Sequence, residues 1–217
     1  MTEVFPAILT NDPLKLKELI NKAEEVVNGV QIDIIDGQFA KNKTIDPSIF
    51  ETIETNLKLD FHLMTKEPVD WIEKATRAMA NRIIGQIEMM ENQMEFIEKV
   101  IETETLVGLA LDIDTPVSEL DPEVLISLDA ILVMSVPAGF GGQEFDDKVL
   151  EKIINLNKER EKENLKYKIC VDGGITIKVA KKLVESGADE LFIGKRLFDG
   201  DLEENIEEVK NAISKKE

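Results

Sequence analysis

Residues 167–194 read YKICVDGGITIKVAKKLVESGADELFIG. A short apolar run, Tyr167–Val171, gives way to a glycine turn; an amphipathic segment follows, and a second apolar run, Glu190–Ile193, closes the unit. Short apolar runs bounded by turn residues read as buried strands, whereas apolar residues three and four apart mark one face of a helix. Two strands joined through a helix in this way lie parallel in one sheet.

The same alternation runs outward to both ends of the chain. Further strand signals fall at Val4–Leu9, Val30–Ile35, Leu57–Met64, Arg82–Ile87, Thr105–Leu111 and Ala130–Val136. The first amphipathic stripe is Leu16, Leu19, Ile20, Ala23, Val26 and Val27, with Asp12 as N-cap, Pro13 at the first helical position and Gly29 closing the far end. The last is Leu202, Ile206, Val209 and Ile213; the signals at Pro47–Asn56 and Pro116–Ser127 are short. Eight strand signals favour a closed sheet, because an open one would leave two unpaired edges. With no Gly/Ser/Pro-rich linker, the expectation is an α/β fold, a single (β/α)8 TIM-barrel domain over residues 1–217.

Forty-four acidic side chains against 26 basic ones give a net charge of −18. That excludes nucleic acid as an expected partner, since phosphate backbones are held by clustered Lys and Arg. Acids such as Glu203, Glu204, Glu207 and Glu208 read as a solvated helix face. Any anion site must then be local, built from backbone N–H groups, helix N-termini or a metal ion. No apolar run reaches the ~20 residues that cross a bilayer. The opening MTEVFPAIL lacks a basic stretch ahead of a long apolar one. With Cys170 as the one cysteine, a cytoplasmic, membrane-free chain is expected. The sequence leaves open whether copies of it form a homo-oligomer.

Chemistry in such barrels sits where strands end and βα loops begin. The polar residues there are Gln31 and Asp33, His62, Gln86 and Glu88, and Asp172. Alternation along a strand puts Gln31 with Asp33 on one face, and Gln86 with Glu88. His62, the one histidine, together with Asp33 and Asp172 forms an imidazole-plus-two-carboxylate set suited to zinc, iron or manganese. Strands two and seven carry Asp33 and Asp172, so the pair is expected across the barrel mouth, where two carboxylates serve proton transfer on opposite faces of one carbon. Asp36 reads as a turn cap. Gly141 and Gly142 in PAGFGGQ, Gly173 and Gly174 in DGG, and Gly194 before Lys195 place glycine turns after three successive strands, where backbone N–H groups can approach a phosphate.

The segments FPAIL, QIDIIDGQFAKN, LDFHLM, VMSVPAGFGGQEF and VDGGITIKVAKKLVESGADELFIG, in that order over residues 5–198, resemble the successive motifs of ribulose-phosphate 3-epimerases. The resemblance implies an isomerase that inverts C3 of D-ribulose 5-phosphate to give D-xylulose 5-phosphate. It implies one divalent ion, zinc, iron, manganese or cobalt, held by two histidines and two aspartates, the aspartates also acting as the acid/base pair. Asp33, His62 and Asp172 match three of those ligands, and Gln31 stands where the fourth, a histidine, would be. Gly142, Gly174 and Gly194 match the phosphate grip, and Met64 and Met134 the cap over the sugar. Ala7 replaces a substrate-contacting serine, Ile35 a methionine, Pro137-Ala138 an Asn-Pro pair, and Gln86 a common histidine. These departures keep two alternatives in view: an epimerase or lyase for another ketose phosphate, and a non-catalytic phosphosugar-binding barrel.

Overall fold

The structure, a computed structural model, describes residues 2–214. Eight parallel strands close into one barrel: β1 (Glu3–Ile8), β2 (Gly29–Ile35), β3 (Lys58–Met64), β4 (Ala80–Gln86), β5 (Leu106–Leu111), β6 (Ala130–Met134), β7 (Lys168–Asp172) and β8 (Glu190–Ile193). Closure pairs Glu3 with Glu190 and Phe5 with Phe192, so no strand edge is left open. Each of the eight expected strands is present.

Helices cover the outside: α1 (Pro13–Glu24), α2 (Ile72–Arg77), α3 (Gln93–Glu102), α4 (Lys148–Lys162), α5 (Ile177–Ser186), α6 (Lys195–Phe198) and α7 (Leu202–Ser214). Asp12 caps α1 by accepting from the Leu14 amide, with Pro13 at the first position, as expected. The far end differs: α1 stops at Glu24, and Gly29 is instead the first residue of β2, while Val26 and Val27 pack on the core from the connection. The two short signals become 3-10 turns, Pro47–Thr52 after β2 and Val117–Glu119 with Leu125–Ser127 after β5. Prolines at 47, 116 and 122 restrict the residue before them and withhold a donor, so neither stretch extends into an α-helix.

Two apolar clusters divide the interior. The larger lies between strands and helices; the smaller, including Ala7, Ile35, Met64, Ile84, Leu132, Met134, Cys170 and Phe192, fills the barrel. Period-two alternation sends the odd-numbered residues of β2 and the even-numbered ones of β3, β4, β6, β7 and β8 inward. Beneath the inner cluster, at the N-terminal ends of the strands, lies a buried ionic floor. Arg82 Nη2 donates to Asp60 Oδ2 at 2.5 Å and to Glu190 Oε2 at 2.6 Å. Lys168 reaches Glu190 Oε1 at 2.5 Å, Asn81 donates to Asp60 Oδ1 at 2.9 Å, and the Cys170 thiol donates to Glu190 Oε2 at 3.2 Å. Among the described residues no helix is long and apolar enough to cross a membrane.

Candidate active site

At the C-terminal end of the strands the inward positions are polar. Asp33 pairs in register with His62 on the neighbouring strand, and Asp172 closes β7. Thr44, from the loop after β2, locks that strand end: its hydroxyl donates to the Asp33 carbonyl at 2.7 Å and accepts from the Ile35 amide at 2.8 Å. Ser135 does the same for β7, its amide donating to the Asp172 carbonyl at 2.8 Å and its hydroxyl to that carbonyl at 2.9 Å. The carboxylates are thus carried on a rigid frame rather than on loops.

Ligand atoms of Asp33, His62 and Asp172 lie within 4.8 Å of one another, and all three residues are buried. Asp33 and Asp172 come from non-adjacent strands, with β8 and β1 lying between β7 and β2, and their carboxylates converge from the two sides of the mouth. Gln31, fully buried, joins them, its Nε2 donating to Asp33 Oδ1 at 2.9 Å and to Asp172 Oδ2 at 2.6 Å. His62 Nε2 donates to Gln86 Oε1 at 2.7 Å, which turns Nδ1 toward Asp33 Oδ1, 3.4 Å away. That separation is an electrostatic contact rather than a formed hydrogen bond, and Nδ1 has no hydrogen-bond partner.

Burial without full pairing moves both titrations. Asp172 is raised to about 7, first by desolvation and then by the neighbouring charge of Asp33, against the pull of His62 and the Gln31 amide. Desolvation opposes the charged form of His62, yet Asp33, Gln86 and Asp172 together outweigh it and raise the imidazole above its ordinary value. An imidazole nitrogen and two carboxylates this close, with His62 Nδ1 and Gln31 Oε1 both buried and unpartnered, fit a divalent ion.

Above these groups opens a cavity of about 800 Å³. Asp33 and Asp172 line its depth, Met64 and Met134 its apolar wall, and Gly141, Gly142, Gly173, Gly174, Gly194 and Lys195 its rim. Gly142, Gly173 and Gly174 have φ of 77°, 110° and 56°, the left-handed region that glycine adopts freely. The loop after β6 is tied to the loop after β2, with Asn42 Nδ2 donating to the Gly139 carbonyl at 2.8 Å. Ala7 lines the cavity and offers no hydroxyl.

Two polar residues lie apart from this group. Glu88 does not share the face of Gln86, because β4 ends at Gln86 and Glu88 enters a 3-10 turn, where it accepts from the Asp112 amide. Asp36 caps the turn after β2, accepting from the amides of Gln38 and Phe39. The service of Gln86 in orienting His62 was not read from the sequence; its signal was an amide at inward parity one strand away.

A closed parallel barrel whose C-terminal mouth gathers two carboxylates and an imidazole defines the class of (β/α)8-barrel enzymes. The sequence model of the ribulose-phosphate 3 epimerase family matches residues 3–198, and the chain belongs to that family. It is 33% identical over 220 residues to the ribulose-phosphate 3-epimerase of Bacillus subtilis, spanning 98% of this chain and 100% of that one. Identity to the Escherichia coli K12 ribulose-phosphate 3-epimerase is 31% over 218 residues, spanning 98% and 96%. Among solved structures, 3-hexulose-6-phosphate synthase superposes with a TM-score of 0.66 at 15% identity, covering 98% of this chain and 99% of that one, a likeness of fold.

Proposed function

We propose that the chain works as one barrel domain that inverts C3 of a ketose 5-phosphate, converting D-ribulose 5-phosphate to D-xylulose 5-phosphate. The observation that carries this reading is the convergence of Asp33 and Asp172 in the depth of a cavity rimmed by three glycine turns. Family membership supports the substrate class.

In this reading one aspartate takes the C3 proton, an enediolate forms between C2 and C3, and the other aspartate returns a proton from the opposite face. A carboxyl held near pH 7 suits such transfer, because a group poised near ambient pH both gives and takes protons readily. Backbone N–H groups around Gly142, Gly174 and Gly194 receive the phosphate, Lys195 adds a solvent-side cation, and Met64 with Met134 covers the sugar. A divalent ion held by Asp33, His62 and Asp172 would supply Lewis-acid polarisation of the substrate oxygens. The deciding experiment is exchange of the C3 proton of ribulose 5-phosphate with deuterated solvent, with and without added divalent ions. No exchange under either condition sinks the epimerase reading. Because Ala7 leaves the cavity wall without a hydroxyl, the same assay on six-carbon ketose phosphates tests the alternative substrate.

Gly174 offers a direct check on the phosphate grip. A Cβ there would sit 2.5 Å from the Phe145 amide nitrogen and 2.9 Å from the Gln143 carbonyl, both backbone. Gly174→Val must therefore push the loop after β6 off the rim, and KM is expected to rise by roughly tenfold or more, the equivalent of about 1.4 kcal/mol of lost binding. An unchanged KM would place the phosphate elsewhere.

Ion loading should depend on pH in a stated direction. A bound cation requires Asp172 ionised and His62 Nδ1 unprotonated, and both groups are raised, so protons compete below about pH 7. Apparent affinity for Mn²⁺ is expected to fall by roughly tenfold per pH unit near pH 7, steepening toward about a hundredfold per unit by pH 5 as two protons compete. A flat calorimetric titration series over that range would contradict it.

A further inference from the structure

Gln31 Nε2 carries two hydrogens and faces one oxygen from each of two carboxylates, at 2.9 and 2.6 Å. Asp33 and Asp172 stand on non-adjacent strands, and among the described residues this amide is the one side chain hydrogen-bonded to both carboxylates. The other end of the same amide is unsatisfied: Oε1 is buried and accepts nothing. A satisfied donor end and an orphaned acceptor end on one rotatable group are a two-state arrangement. Turning the amide over would bring Oε1 against two carboxylate oxygens, which is repulsive unless a cation lies between them. The charge at the centre therefore dictates which way the amide points.

We propose that Gln31 is a reversible positioning residue. In the ion-free site its N–H groups hold Asp33 and Asp172 together. When a divalent ion enters, the amide rotates and offers Oε1 as a fourth donor beside Asp33, His62 Nδ1 and Asp172. A histidine or carboxylate at this position cannot play both parts: a carboxylate has no hydrogens to give, and a neutral imidazole has one N–H for two acceptors. The chain thus keeps its acid/base pair assembled without the ion. The inference rests on the metal-competent acid/base reading of the site, and its test reads binding and structure rather than turnover.

The test compares parent, Gln31→Leu and Gln31→Glu proteins at pH 8, chelator-treated and zinc-loaded. In the parent, the side-chain ¹⁵N–¹H signals of Gln31, identified by their loss in Gln31→Leu, are expected to exchange slowly with solvent when ion-free. They should shift on zinc binding and lose that protection. Gln31→Leu keeps the volume and removes the donors, so its ion-free melting temperature should drop and its zinc affinity weaken by roughly tenfold. Gln31→Glu should melt still lower without the ion, since three carboxylates then crowd one site, yet bind zinc at least about tenfold more tightly. Zinc binding with unchanged Gln31 signals overturns the rotation, and so does an ion-free Gln31→Leu as stable as the parent. A parent that binds no zinc also overturns it, and C3 proton exchange in that same sample would leave the epimerase reading standing. Should Gln31→Leu fail to fold, the parent spectra alone decide.

Discussion

Asp33→Asn and Asp172→Asn are each expected to lower turnover of ribulose 5-phosphate by at least roughly 10²–10⁴-fold, the range for a lost general acid or base. Asparagine keeps the shape of aspartate and can still accept from the Gln31 amide, so the frame locked by Thr44 and Ser135 should persist. What disappears is the capacity to carry a proton. With one base left on one face, each mutant should still wash deuterium into C3 of one epimer, and the two mutants should label opposite epimers. A one-base enzyme would show no such division. Metal content must be measured in the same samples, because both residues belong to the cluster within 4.8 Å. Mutants that keep their ion and lose only a few-fold in rate would remove the acid/base assignment, and with it the epimerase mechanism.

The second large effect lies at the other end of the barrel. Arg82 is nearly fully buried and is shared by Asp60 and Glu190. The two partners differ. Burial holds Asp60 above the usual carboxylate range despite Arg82 and Asn81, whereas Glu190, although desolvated, is pulled below it because Arg82 and Lys168 both face it. Arg82→Leu strands Asp60 with a neutral amide alone. The expected cost is about 3–5 kcal/mol, the usual result of removing one member of a buried ion pair. For a chain of this size that is a fall in melting temperature of roughly 10 °C. The sign with pH follows from Asp60: a carboxyl whose folded pKa is raised carries its penalty above that pKa and loses it as pH falls below its unfolded value. The deficit of Arg82→Leu should therefore be larger at pH 8 than at pH 4.5. Calorimetry that finds the variant within about 2 °C of the parent at pH 8 would mean that the floor is solvated rather than held by Arg82.

The strands were legible because each is buried on both faces and so reads as an apolar run, and eight of them in alternation leave little room for anything but a closed barrel. Asp33, His62 and Asp172 were legible for the converse reason: a polar residue at the end of such a run stands out. The distances between them were not. How closely side chains approach across the axis depends on shear and tilt, which no local pattern records. The floor went unread although its signal was present. Asp60 has the parity of His62, and Arg82 that of Gln86, so two opposite charges point inward on adjacent strands. The connections after β2 and β5 were legible as weak helices and proved to be 3-10 turns, a distinction that rests on a few residues around proline.

Cys170 lies on that floor, fully buried with its thiol donated to Glu190, and burial raises it well above the ordinary thiol range. The thiolate is the form that attacks an alkylating reagent, so the buried, protonated thiol of the folded chain does not react. The rate at which a colorimetric thiol reagent reacts with this protein then reports how often the N-terminal end of the barrel opens to solvent. As the chain has no other cysteine, it carries a built-in gauge of its own breathing, and a cysteine engineered onto any exposed helix could be tagged without a competing site.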